Sequence, residues 1–190
     1  MKKINKIVML VFALALIATS FQSCKKGEED PAISLRSRTA RLKGKWELVS
    51  GLDTYTGSSY SYTVSYNGST ATYSEDGITD TEVYRETLEF KKDNEFSGEI
   101  VSGSEMLRYD GYWTFAGAYD DYSKKEIVVI RIKSYRDSED SETYSGDEMP
   151  VVTLRLKRLA NKEMIVETKG QSTSGSNVSS YNSLKTYNKK

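Results

Sequence analysis

The chain contains no histidine and a single cysteine among its 190 residues. Histidine is the side chain that titrates near neutrality unaided, so its absence removes Ser-His-Asp and Cys-His catalysis and imidazole zinc ligation. With Cys24 alone, no intramolecular disulfide and no CxxC pair exists, and stability must come from packing. No glycine-rich phosphate cradle or Walker sequence occurs, and no apolar periodicity marks an amphipathic helix of three turns. The 27 basic residues are matched by 27 acidic ones, so no basic excess is present to attract nucleic acid or anionic headgroups.

What is present begins with a distinct leader. Lys2, Lys3 and Lys6 precede an unbroken apolar run from Ile7 to Ala18, and a short polar stretch leads to Ser23-Cys24. This is the charged, apolar and cleavage-region order of a secretory signal. The apolar run is shorter than the about 20 residues that span a bilayer. Cys24 follows a small residue at the cleavage position, an arrangement that resembles a bacterial lipobox, in which the cysteine becomes the acylated first residue. An ordinary secretory signal with an incidental cysteine is the alternative. Residues 1–23 are accordingly expected to form a lipoprotein signal peptide, Cys24 to carry palmitate-type acyl chains, and residues 24–41 to form a flexible tether. A short helical turn is expected near Arg38 to Leu42 at its end. Cleavage would remove three lysines and leave a net charge of −3.

From Leu42 to the C-terminus the dominant signal is alternation with period two, broken by turn residues. Trp46 and Leu48 share a face, as do Tyr60, Tyr62, Val64 and Tyr66, with Asn67-Gly68 and Asp76-Gly77 as hairpin turns. Tyr84, Leu88 and Phe90 share the next face, and Glu86 interrupts that apolar set. Leu107, Tyr109, Trp113 and Phe115 line a further strand whose Gly111, on the same face, predicts a bend, bulge or close approach. Val128, Ile130 and Ile132, then Val152, Leu154 and Leu156, then Met164 and Val166 continue the series. Residues 171–177 read as a flexible loop, and residues 181–188 as a closing strand anchored by Leu184 and Tyr187. The expected fold is all-β: one antiparallel up-and-down meander β-barrel of about eight to ten strands over residues 42–190.

Candidate chemistry is sparse. The tyrosine row Tyr60, Tyr62 and Tyr66 is a candidate set of aromatic ligand contacts, against the plainer reading that tyrosine covers half-exposed sheet. The acidic pair Asp120-Asp121 and the loop from Asp137 to Glu148 supply carboxylates without EF-hand spacing, and the plainer reading is a solvated surface loop. No metal, cofactor or enzymatic activity is expected.

Three short patterns then stand together: Gly44-Lys45-Trp46 opening the first strand, Gly111-Tyr112-Trp113-Thr114-Phe115 ending a middle one, and a terminal meander through Leu154-Arg155-Leu156 to Met164-Ile165-Val166-Glu167. With the leader, they resemble the lipocalin-like domain lipoproteins of Bacteroidetes. The resemblance implies a lipocalin-like barrel, with Gly44 and Trp46 closing its floor and Arg155 or Arg158 packing over the tryptophan. It also implies that Glu28-Glu29-Asp30 acts as a surface-export signal, a plain hydrophilic linker being the alternative. The expected protein is lipid-anchored at the outer membrane, with display at the cell surface, and binds a small, partly apolar ligand. The alternative is a cavity-free structural or accessory interaction module for an envelope protein or glycan.

Overall fold

The computed structural model describes residues 29–31, 34–58, 60–117, 126–174 and 177–190. The leader, Cys24 and Asp120-Asp121 lie outside the described residues. A one-and-a-half-turn helix α1 (Arg38–Leu42) precedes eleven strands: β1 (Gly44–Thr56), β2 (Ser61–Tyr66), β3 (Thr70–Glu75), β4 (Ile78–Phe90), β5 (Glu95–Ser102), β6 (Glu105–Phe115), β7 (Ile127–Arg136), β8 (Ser141–Thr143), β9 (Val151–Leu159), β10 (Glu163–Ser174) and β11 (Asn177–Lys189). All pair antiparallel in the order β6-β5-β4-β3-β2-β1-β11-β10-β9-β7, and a β6–β7 ladder closes the ring. The small β8 adds to the outside of β7. The fold is thus a closed up-and-down barrel, as the period-two pattern predicts.

The barrel is forked. At one end β1 bonds directly to β4, Gly44 to Glu47 facing Thr87 to Phe90. Beyond residue 51 β1 bonds to β2 instead, and the β2–β3 hairpin wedges between β1 and β4. The circuit therefore holds eight strands at the first end and ten at the other. Barrel diameter grows with strand number, and an eight-stranded ring is just filled by side chains. The narrow end is indeed solid: Leu42, Trp46, Phe90, Leu156, Leu159 and Met164 are completely buried there. Phe90 meets Trp113 edge-on at 5.8 Å and Phe96 at 5.2 Å.

Local chemistry sets the joints. Asp76 and Gly77, both at positive φ, form the two-residue loop between β3 and β4 that suits the twist of a hairpin. Asn67-Gly68 belongs to a three-residue loop in which the Asn67 side-chain oxygen accepts from the Ser69 and Thr70 amides. At Gly111 the β6–β7 ladder shifts register, and a Cβ there would lie 2.0 Å from the Arg131 carbonyl oxygen. This is the close approach that the strand-interior glycine predicts. Gly111→Ala should therefore destabilise the barrel by about 2–3 kcal/mol, read as a lowered urea midpoint, and an unchanged midpoint would contradict the packing.

Two expectations are corrected here. Residues 171–174 are not loop: β10 runs through Ser174, laddered to β11 with Gln171 opposite Ser180. Backbone pairing carries this polar hairpin, which composition alone does not reveal. Leu184 is not an anchor, being 42% exposed, whereas Tyr187 is buried. Three residues apart on one strand, they face opposite sides.

The segment expected to be a flexible tether up to Arg41 is held to the narrow end at Glu29 and Asp30 and again at Arg38 and Arg41. Ser37 caps α1, accepting from the Ala40 amide, and Arg38 and Arg41 project from one face of the helix into the barrel end. Arg38 Nη2 donates to the Leu156 carbonyl at 2.9 Å, and Arg41 Nη1 donates to that of Leu159. Buried Asp30 joins them, 3.3 Å from Arg38 and 3.2 Å from Arg41, and accepts the Leu159 amide. Ion pairing at the end of β9, together with the bonds to the last strand carbonyls, fastens a polar, linker-like sequence to the barrel.

Candidate functional site: a cavity in the wide half of the barrel

A cavity of about 380 Å³ occupies the barrel between β4 and β11. The inward residues of β6, β7, β9 and β10, among them Leu107, Ile130, Ile132, Leu154 and Val166, make its walls apolar. They are the same alternating residues that the sequence pattern groups by strand. Tyr109 stands on the wall opposite Gly98 in register, and its ring lies where a Cβ at Gly98 would be, which lets it lean along the strand surface.

One side of the cavity is polar. Glu86 on β4 accepts three bonds: from Lys185 Nζ at 2.8 Å, Tyr84 at 2.9 Å and Tyr187 at 2.6 Å. Lys185, on the inner face of β11, also sits over the Tyr66 ring at 4.6 Å and the Tyr84 ring at 5.7 Å. Burial, reinforced by the Glu86 carboxylate, pushes the Tyr84, Tyr109 and Tyr187 phenols far above their ordinary range. All three remain neutral throughout the physiological range. Ser183, Thr168 and Tyr181 complete the polar border. The signal for this corner is the single acidic residue interrupting the Tyr84-Leu88-Phe90 face; nothing in the sequence pairs it with Lys185, 99 positions away.

The wall beside the cavity is incomplete. β9 bonds to β10 only where Arg155 to Leu159 face Met164 to Glu167. Farther along, Val151 to Leu154 bond to β7 alone and residues from Thr168 onward bond to β11 alone. Val152, Leu154 and Thr168 flank this unpaired stretch and border the cavity, and Val152 is 41% exposed, so the cavity reaches solvent there.

No family model, curated protein or solved structure matches this chain. The site must accordingly be read from its own residues. Trp46 is fully buried at the narrow end, with Nε1 donating to the Leu42 carbonyl at 2.7 Å. The cation over its ring is Lys189, at 5.0 Å, whose stem crosses the bare Cα of Gly44. Arg155 and Arg158 are engaged elsewhere. Arg155 clamps the seam, bonded to Glu126 at 3.1 Å and Glu167 at 2.8 Å, and Arg158 pairs with Glu163 and the Glu29 carbonyl. Both lie one residue out of phase with inward Leu154 and Leu156, or beyond the β9 bulge.

The tyrosine row does not border the cavity. Tyr62 stacks on Tyr55 at 4.4 Å, Tyr60 follows at 6.2 Å, and Tyr55 leans on Tyr181 at 4.7 Å. Tyr66 lies against Tyr84 and donates to Asp53 at 2.8 Å. The rings fill the β2–β3 wedge with one another, and only Tyr181 at the end of the series reaches the cavity. The acidic loop after Asp137 is exposed, and its Asp137 accepts the Glu139 and Asp140 amides as a local turn. Among the described residues no cluster of three or more His, Cys, Asp or Glu side chains is placed to hold a metal, and no helix is long and apolar enough to cross a membrane.

Proposed function

We propose that this protein is a lipid-anchored envelope lipoprotein, attached to the outer membrane through acylated Cys24, whose barrel carries a small, partly apolar molecule without transforming it. The carrying observation is the 380 Å³ cavity, apolar on most sides, with one hydrogen-bonded ion pair set into its wall. That size and lining are those of small-molecule sites. Fork geometry supplies the physical reason, since the ten-stranded half has more room than its side chains fill. A cavity-free interaction module starts from a filled barrel, which the void does not support.

The leader pattern supports the anchor, and the docked segment gives it a direction. Asp30 lies only six positions after Cys24, at most about 20 Å of extended chain. The solid end of the barrel would thus face the membrane and the cavity would face away from it.

Mass spectrometry of the protein extracted from its own envelope tests both halves of the proposal. A mass increment that survives denaturation and maps to Cys24 is expected for acylation, and one that vanishes on denaturation is expected for cargo. Leu107→Trp, which places an indole on the cavity wall, should abolish the second and spare the first. Absence of the covalent increment would refute the anchor, and absence of the non-covalent one would refute the carrier.

A further inference from the structure

We propose that the cavity selects an amphiphile with a cationic amine head, and that Asp53 sets this preference; the inference rests on the carrier reading. Among the described residues, three charged side chains face the interior of the wide half. Glu86 and Lys185 neutralise each other at 2.8 Å. Asp53 is left over: it is 3% exposed, accepts one bond, from Tyr66, and its Oδ1 has no partner. Among the described residues no lysine or arginine forms an ion pair with it. Lys189, the other inward lysine, lies at the solid end, bonded to the Arg41 carbonyl and covering Trp46.

Asp53 stands beside the cavity. It faces Ser183 across the β1–β11 ladder, and Ser183 and its neighbour on the same face, Tyr181, both border the void. The Asp53 charge reaches that border, helping burial to raise the Tyr181 and Tyr55 phenols. A buried carboxylate without a counter-ion favours a cation and opposes an anion. The neighbouring rings suit a cation as well. Lys185 already displays the arrangement within the same chain: an alkyl ammonium on a carboxylate, against two tyrosine rings. A ligand amine near Tyr181 would meet the same chemistry, with Asp53 in the place of Glu86. At roughly 30 Å³ per water-sized group, the void takes about a dozen non-hydrogen atoms, the size of a ten-carbon chain with its head.

The test is a three-ligand series at neutral pH, decylamine, 1-decanol and decanoate, each titrated into the purified protein and followed by isothermal titration calorimetry. Decylammonium is expected to bind about tenfold more tightly than 1-decanol, and decanoate more weakly than either. Asp53→Asn, isosteric and still able to accept from Tyr66, should erase most of the amine's advantage while leaving 1-decanol within about twofold. Tyr66→Phe, which strips Asp53 of its one donor, should enlarge that advantage. Decanoate binding as tightly as decylamine, or an amine advantage unchanged in Asp53→Asn, overturns the inference and leaves the carrier standing. Failure of all three ligands, 1-decanol included, brings down the carrier reading and this inference together.

Discussion

Replacing Glu86 alone by leucine should cost about 3–5 kcal/mol, one of the two largest losses available to a single substitution in this barrel. The change strands the Lys185 ammonium, whose side chain is 15% exposed, and removes the acceptor of two buried phenols, Tyr84 and Tyr187. Breaking one partner of a buried pair is far costlier than never having had the pair, because the survivor keeps its desolvation cost without its compensation. Glu86→Gln combined with Lys185→Met should therefore lie within about 1 kcal/mol of the parent, since both charges go and an acceptor for a phenol remains. Urea unfolding of the three proteins reads the difference directly. If Glu86→Leu were as mild as the double variant, the ion pair would not be the buried, fully bonded group described above. The comparison also separates stability from recognition: the double variant keeps the fold while altering the polar side of the cavity.

Much of the barrel was legible because alternation survives wherever one face of a strand is dry. Val128, Ile130 and Ile132 point inward as their spacing predicts, and Gly111 marks the close backbone approach. Alternation fails at bulges, where one extra residue exchanges the two faces. In β1 the register shifts between Leu48 and Ser50. Extending the Trp46-Leu48 spacing through that strand puts Leu52 inside and Asp53 outside. The observed order is the reverse, with Leu52 49% exposed and Asp53 buried. A substitution table of apolar and polar residues cannot locate such a bulge, because it is fixed by the neighbouring strand's ladder.

The site was less legible than the fold for the same reason. The tyrosines stood out in sequence, yet their rings occupy one another in the wedge that widens the barrel. The ion pair that borders the cavity comes from β4 and β11, strands far apart in the chain that meet only because both pair with β1. Lys185 is one of many lysines until Glu86 stands beside it. Arg38 and Arg41 likewise read as linker until Asp30 and the last carbonyls of β9 enclose them. Charged residues are ambiguous in a sequence because burial and solvation use the same letters. What distinguishes them is the partner, and here most partners are remote.

Trp46→Ala should cost about 3–5 kcal/mol, enough to exhaust much of the stability of an ordinary domain. The indole is completely buried at the eight-stranded end, where no neighbour can collapse into the space without moving the β1–β4 and β1–β11 ladders. Its loss also frees the Leu42 carbonyl, which Nε1 now satisfies, and takes away the surface on which Lys189 rests before reaching the Arg41 carbonyl. The helix α1 thereby loses two of its fastenings, though Arg38, Arg41 and Asp30 still hold it to β9. Trp46→Phe keeps a ring in the floor and should lose about half as much, mostly the unfilled volume and the unsatisfied carbonyl. Because the cavity lies in the other half of the barrel, Trp46→Phe should retain the non-covalent mass increment while unfolding at lower urea. A fall of less than about 1 kcal/mol in Trp46→Ala would show that the floor is not what closes the barrel. Loss of cargo in a still-folded Trp46→Phe would instead mean that floor and cavity are one coupled structure, with the solid end holding the geometry of the β4 and β11 faces on which Glu86 and Lys185 meet.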